Sequence, residues 1–448
     1  MTTTRRLALA LCSALLLFGR SPLGAPAEAV PDLQPSRVIL GFDGDPATSR
    51  AVTWRTSGAV AAPVAEMTPD GPSPSLDKNA VGTRASSTRV DLDGGGTVYH
   101  HTARFRSLRP GTRYAYRVGD GESWSEWFTF VTASAASAPF RFLYLGDAQT
   151  GLDSVWPRTV RAAYAQAPDA RMIVEAGDTV AEGYDDNLWR QWAAGMGFIA
   201  ASLPSLPVPG NHDEHRPPSA PDSKKVLQPS ELWRAHFALP RNGPASLGVL
   251  GEPFYYLDYQ GVRFIAIDSN PFANKDYVES ERARVQAAAV AWLRSVLSNN
   301  PNRWTIVVQH HPAYPVAKGR DYPELRAALV PLFDEFHVDL VLQGHDHAYA
   351  RSFPLRAGRP AGPDERGTVY VISDSGAKMY EVDSPYAPLM KTLLTDFQAY
   401  QVIAVDGLRL KFESYTAAGR LVDAFELKKP ERDRKSDVRR SRTGPSSR

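Results

Sequence analysis

"DLVLQGHDHAYARS", residues 339–352, ends a short apolar run at Gly344 and then sets His345 and His347 one residue apart, in a chain with ten histidines. The same form recurs upstream. "FRFLYLGDAQ" (140–149) and "ARMIVEAGDT" (170–179) are apolar runs ending in Gly-Asp; "SLPVPGNHDEH" (205–215) ends in Gly-Asn-His, and "RWTIVVQHHP" (303–312) in paired histidines. Helical patterns near 154–167, 280–298 and 322–336 fall between these runs. Strands alternating with helices predict an α/β architecture whose functional groups gather at the carboxyl ends of the strands. Two hairpins, "PFYYLDYQGVRFIAIDS" turning at Gln260-Gly261 and "YQVIAVDGLRLKFES" turning at Asp406-Gly407, predict a mixed sheet, in two packed layers.

Towards the amino terminus the period changes. Residues 35–134 read as short strands, "SRVILGF", "SRAVTWRT", "TVYHHTARF", "TRYAYRVGD" and "SEWFTFVT", with turn signals between them. An all-β sandwich is expected. "LRPGTRYAYRVGD" resembles the corner of a fibronectin type III-like domain, which implies a scaffold without chemistry. His100 and His101 lie on one of these strands with no acidic residue close in sequence, so they are read as structural or exposed. "ASAASAP" (133–139) is a linker of small residues.

Composition is that of an ordinary globular protein, 43% hydrophobic and 22% charged, and 448 residues suggest two domains. Residues 1–29 differ: Arg5 and Arg6, an apolar run at 7–18 and a small-residue end predict an export signal cleaved near Ala29, with Sec and twin-arginine routes both open. The run is too short to span a bilayer, so the mature chain is expected to be periplasmic or secreted with no transmembrane segment. Cys12, the only cysteine, lies inside it, which leaves nitrogen and oxygen as the available metal ligands. Residues 428–448 carry nine Lys/Arg against three Asp/Glu; removing that +6 and the +2 of residues 1–29 from the net +2 leaves the body at −6. A disordered basic tail is expected, with no nucleic-acid partner.

Six of the ten histidines, His212, His215, His310, His311, His345 and His347, fall in three strand-end motifs. Asp147, Asp178 and Asn211 each follow a glycine in equivalent places. Gly-Asp, Gly-Asp, Gly-Asn-His, Val-x-x-His and Gly-His-x-His in that order form an imidazole and carboxylate set suited to zinc, manganese or iron. Two such ions sharing one carboxylate activate water and clamp both oxygens of a displacement.

These motifs, above all "GHDHAYARS", together with "LRPGTRYAYRVGDG" and "WSEWFTFVT", resemble the calcineurin-like metallophosphoesterases and, within them, the purple acid phosphatases with an amino-terminal fibronectin-like domain. The resemblance covers about 35–427. It implies a β-sandwich flanked by helices over 139–427 and two divalent or mixed-valence ions, Fe, Mn or Zn. One ion would take Asp147, Asp178 and His347, the other Asp178, Asn211, His310 and His345, with His212 as general acid or phosphate donor. Gln149, His215 and His311 stand beside this set as candidate supporting or substrate contacts.

The chain departs from the family in three places: Ala181 where a tyrosine is usual, Gln149 where the first motif usually has glycine, and the loop after Val-x-x-His, which offers Lys318 and Arg320 where many members have further histidines. The expected function is an exported dinuclear-metal phosphatase that hydrolyses phosphomonoesters by attack of a metal-activated water. A phosphodiesterase or nucleotide hydrolase on the same site, or a non-catalytic cell-surface binding protein, are the alternatives. Lys318 and Arg320 are read as ordinary loop charges.

Overall fold

The computed structural model describes residues 32–215, 228–275 and 277–431. The expected signal segment and Cys12 lie outside the described residues, as does the basic tail beyond 431. Lys428 and Lys429, grouped with that tail by charge, belong to the fold. Lys428 ends the strand Leu421–Lys428, and Lys429 pairs with Asp339 at 2.5 Å with its ammonium over the Trp304 ring.

The amino-terminal part is a sandwich of two four-stranded antiparallel sheets. One runs Ser36–Gly41, Arg50–Thr56, Thr97–Phe105, Ser86–Asp91, the other Val81–Arg84, Val64–Pro69, Arg113–Gly119, Phe128–Val131. Alternate residues, among them Trp54, Phe105, Tyr116 and Phe130, fill the space between them. At the corner, the Tyr114 hydroxyl accepts a hydrogen bond from the Arg109 amide at 2.9 Å, the tyrosine-corner contact of such sandwiches. His100 and His101 are buried, which settles their reading as structural. The His101 ring bridges Thr56 and Ser87, both at 2.9 Å.

The second part holds two mixed sheets. In the first, the spatial order is Ser205–Pro207, Ile173–Glu175, Phe140–Leu145, Ala399–Asp406, Arg409–Thr416, Leu421–Lys428. In the second it is Tyr255–Tyr259, Val262–Ile267, Trp304–Gln309, Leu340–Gln343, Val369–Ile372, Tyr349–Ser352, Met390–Leu394. Their inner faces share one apolar core that includes Phe142, Phe264, Ile306, Leu342 and Ile403. Helices Trp156–Gln166 and Asp186–Met196 cover the outside of the first sheet, Glu279–Ser298 and Pro323–Glu335 that of the second. Parallel pairing of neighbouring strands brings the turns after 145, 175, 207, 309 and 343 to the same end of the sandwich.

The two parts are fastened together. Gln260, at its hairpin turn, accepts from the Ser134 amide and donates to the Ala138 carbonyl, both at 2.8 Å, so the small-residue linker is pinned. Arg37 holds the Asp186 carboxylate with both terminal nitrogens, Tyr116 donates to the Ala201 carbonyl at 2.6 Å, and the His100 ring meets that of His236 at 4.6 Å.

Candidate metal centre

Four of the six expected ligands sit in the left-handed backbone region: Asp147 (φ 51°), Asp178 (φ 51°), His345 (φ 75°) and His347 (φ 46°). Each such residue costs about 1–3 kcal/mol and persists where its surroundings fix it. Here the strand ends in a tight reversal that turns the side chain back over the sheet edge. The glycines beside them serve carboxylates from other turns. A Cβ at Gly210 would meet Asp178 Oδ1, and one at Gly344 would meet Asp147 Oδ2. The same oxygens accept the next amides along, His212 N to Asp178 at 2.8 Å and His345 N to Asp147 at 2.7 Å. Each turn is therefore ligand and scaffold to another.

The donor atoms converge. Asp178, His310 and His345 bring one ligand atom each within 4.8 Å of one another, all buried. His310 Nδ1 faces the Ala176 carbonyl at 2.8 Å; a carbonyl only accepts, so Nδ1 carries a hydrogen and Nε2 is the ring nitrogen that faces inward. That Nε2 lies 3.0 Å from His345 Nδ1, 3.2 Å from Asn211 Oδ1 and 3.3 Å from an Asp178 oxygen. His347 Nε2 lies 3.9 Å from Asp147 Oδ1, an oxygen buried without a hydrogen-bond partner among the described residues. Converging nitrogen and oxygen atoms and an unsatisfied buried carboxylate oxygen fit a cation, which would displace any proton shared among them.

The electrostatics agree. Burial pushes the Asp147 carboxyl up to about 7 against the pull of His347 and His310. Burial also opposes Asp178, but His310, His212 and His345 outweigh it and hold that carboxyl well below the usual range. Burial works against the His310 imidazolium as well, yet Asp178 raises it to about 9. His345 is driven well down by burial and by its neighbours His311, His310 and Arg320. A dry cluster of this kind places cations and carboxylates in mutual need.

His212 stands at the rim, half-buried, with Nδ1 2.7 Å from the Ala181 carbonyl, so its Nε2 is the atom available for proton transfer. Gln149 is oriented by its two partners: the amide nitrogen donates to Asp178 Oδ2 at 2.8 Å while the oxygen receives Lys378 Nζ at 3.4 Å. Its oxygen thus faces away from Asp178. His311 packs its ring at 4.4 Å from His345 and bonds Ser269 at 3.0 Å. His215 meets Tyr184, ring to ring at 6.4 Å. Lys318 pairs with exposed Glu381 at 3.1 Å, and Arg320 bonds the His345 carbonyl and Asp346, so both loop charges are structural.

Further residues of the centre are not among the sequence-predicted set. Tyr322 reaches His345 Nε2 at 2.6 Å, and Asp374 lies 3.5 Å from His347 Nδ1. Tyr322 comes from a connecting segment with no apolar run to flag it, whereas Asp374 stands two residues past the apolar strand Val369–Ile372 and could have been found by that signal. Asp213 had a signal, its place inside Gly-Asn-His-Asp; it accepts the Gly210 and Thr179 amides and so holds two ligand turns together.

The sequence profile of the purple acid phosphatase N-terminal domain matches residues 35–132, and that of the calcineurin-like phosphoesterases matches residues 140–349. The chain belongs to the calcineurin-like metallophosphoesterases, in the purple acid phosphatase-like branch. It is a metal-dependent phosphoester hydrolase. Human acid phosphatase type 7 is 28% identical over 401 residues, covering 81% of this chain and 82% of that protein. Purple acid phosphatase 23 of Arabidopsis thaliana is 24% identical over 396 residues, covering 76% of this chain and 79% of its own. In fold, the purple acid phosphatase of yellow lupin seeds matches with a TM-score of 0.69 at 19% identity, over 88% of this chain and 74% of that one.

Proposed function

We propose that this chain is an exported phosphatase with a dinuclear centre, in which Asp147, Asp178 and His347 hold one ion and Asp178, Asn211, His310 and His345 the other. The domain division of the notional mature chain is then a fibronectin-like scaffold over 35–134 and a catalytic unit over 139–427. The observation that carries this reading is the convergence of Asp178, His310 and His345 on one buried point, with the unpartnered Asp147 oxygen beside His347. Bound there, two ions would make a water nucleophilic and neutralise phosphoryl oxygens. The chain's own residues do the rest. Asp178 is held by His212 N and Gln149 so that its two oxygens are presented separately. His212, oriented by the Ala181 carbonyl, delivers a proton from Nε2 to the leaving oxygen.

The test is metal content measured beside hydrolysis of matched mono- and diesters. About two equivalents of metal and a monoester preference support the reading. Faster diester cleavage favours the phosphodiesterase alternative, and no turnover with Fe, Mn or Zn favours the binding protein. Asp178→Asn should lower the content of both ions together and abolish turnover, because one carboxylate serves both.

A further inference from the structure

Among the described residues, Lys378 is the one ammonium group whose hydrogen bonds lead into the centre. It is half-buried, its Nζ lies 3.4 Å from Gln149 Oε1, and the Gln149 amide in turn touches Asp178 at 2.8 Å. Its charge reaches His347 and Asp374, on the side of Asp147. Tyr380 places its ring 5.1 Å below Nζ, and the same ring lies 4.7 Å from that of His347, whose carbonyl accepts the Tyr380 amide at 3.2 Å. The lysine is thus held at the mouth of the site by an aromatic face and one neutral oxygen. Among the described residues it makes no ion pair, whereas Lys318, Lys411 and Lys429 all do. A neutral partner leaves most of an ammonium's donor capacity open to an anion.

We propose that Lys378 binds the phosphoryl group of the substrate and selects the doubly charged head of a monoester over the singly charged diester. The inference rests on the phosphatase reading and names a residue outside its ligand set. A flexible ammonium contributes a point charge, and that charge gains more from a dianion than from a monoanion. Gln149 parks the lysine in the free enzyme. Phosphate takes its place as acceptor when substrate arrives.

The experiment uses metal-loaded full-length protein and inorganic phosphate, followed by titration calorimetry, with metal content measured in every variant. Lys378→Met should weaken phosphate binding by about ten- to a hundredfold, the worth of one hydrogen bond to a charged group. Lys378→Arg should recover most of it. Metal content should stay unchanged, and KM should rise for a monoester but not for the matched diester. Unaltered phosphate affinity in Lys378→Met, equal KM losses on both esters, or metal loss would overturn the proposal. So would a Gln149→Leu variant that reproduces the phosphate defect, since the lysine would then act only through Gln149. Wild-type protein that neither binds metal nor turns over would remove the phosphatase reading itself, a separate outcome from wild-type activity with an indifferent Lys378.

Discussion

The Tyr322 hydroxyl lies 2.6 Å from His345 Nε2, on the opposite side of the ring from His310, which faces Nδ1. Were Nδ1 to take the proposed ion, Nε2 would carry the hydrogen and donate it to the phenol oxygen, which would fix both tautomer and ring angle. Tyr322→Phe should weaken metal binding by roughly ten- to a hundredfold, as loss of such a partner does elsewhere. Competition against a graded chelator measures it; wild-type retention would show that packing against His311 alone holds the ring.

His212→Ala should leave metal content intact and lower turnover by roughly 10²–10⁴-fold, the usual worth of a positioned proton donor. Its backbone amide, which supports Asp178, survives the substitution. Alkyl esters should lose more than phenolic ones, because their leaving oxygens need the proton. Equal losses would assign His212 to transition-state charge instead.

Ala181 supplies no phenolate, and its carbonyl is occupied by His212. Tyr184, three residues on, turns towards His215. Metal-loaded protein is therefore expected to show no strong visible tyrosinate-to-iron band and to hold divalent ions in preference to ferric iron. Absorption spectra after iron loading test this. A band that vanishes in Tyr184→Phe would identify that tyrosine as a ligand after all.

The seam between the domains should respond to acid. Burial, with Arg37 and Arg55 adding to it and Asp186 opposing, lowers His100 to about 3, and burial with His100 and Arg37 holds His236 well below its ordinary value. Unfolded, both imidazoles bind protons below about 6.5. Stability is thus intact above that pH and is lost as pH falls towards the folded value, by about 1.4 kcal/mol per pH unit for each histidine. Urea unfolding at pH 7 and pH 5 reads the slope. His100→Phe should flatten it, and an unchanged slope would place the proton uptake elsewhere.

Much of the proposed centre is legible because its candidate ligands stand where apolar runs end. Asp147, Asp178, His310 and His345 each follow a strand that hydrophobic pattern alone reveals, and order along the chain did the rest. Tyr322 and Lys378 were not legible, since they reach the site from loops whose course depends on how distant strands pack. In the amino-terminal sandwich, the strands Val64–Pro69, Val81–Arg84 and Ser86–Asp91 went unread because their outer positions are exposed and alternate weakly. The helix Asp186–Met196 had a usable mark, Asp185, whose side chain accepts from the Asn187 and Leu188 amides as an N-cap.

The strand Phe140–Leu145, which delivers Asp147, lies between Ile173–Glu175 and Ala399–Asp406. Every proposed ligand precedes that second neighbour in the sequence. The strand Phe140–Leu145 consequently gains its second flank through a pairing distant in sequence and slow to form. A truncation before residue 399 should therefore impair metal binding although it spares all six proposed ligands, because it strips one flank from the strand that leads to Asp147.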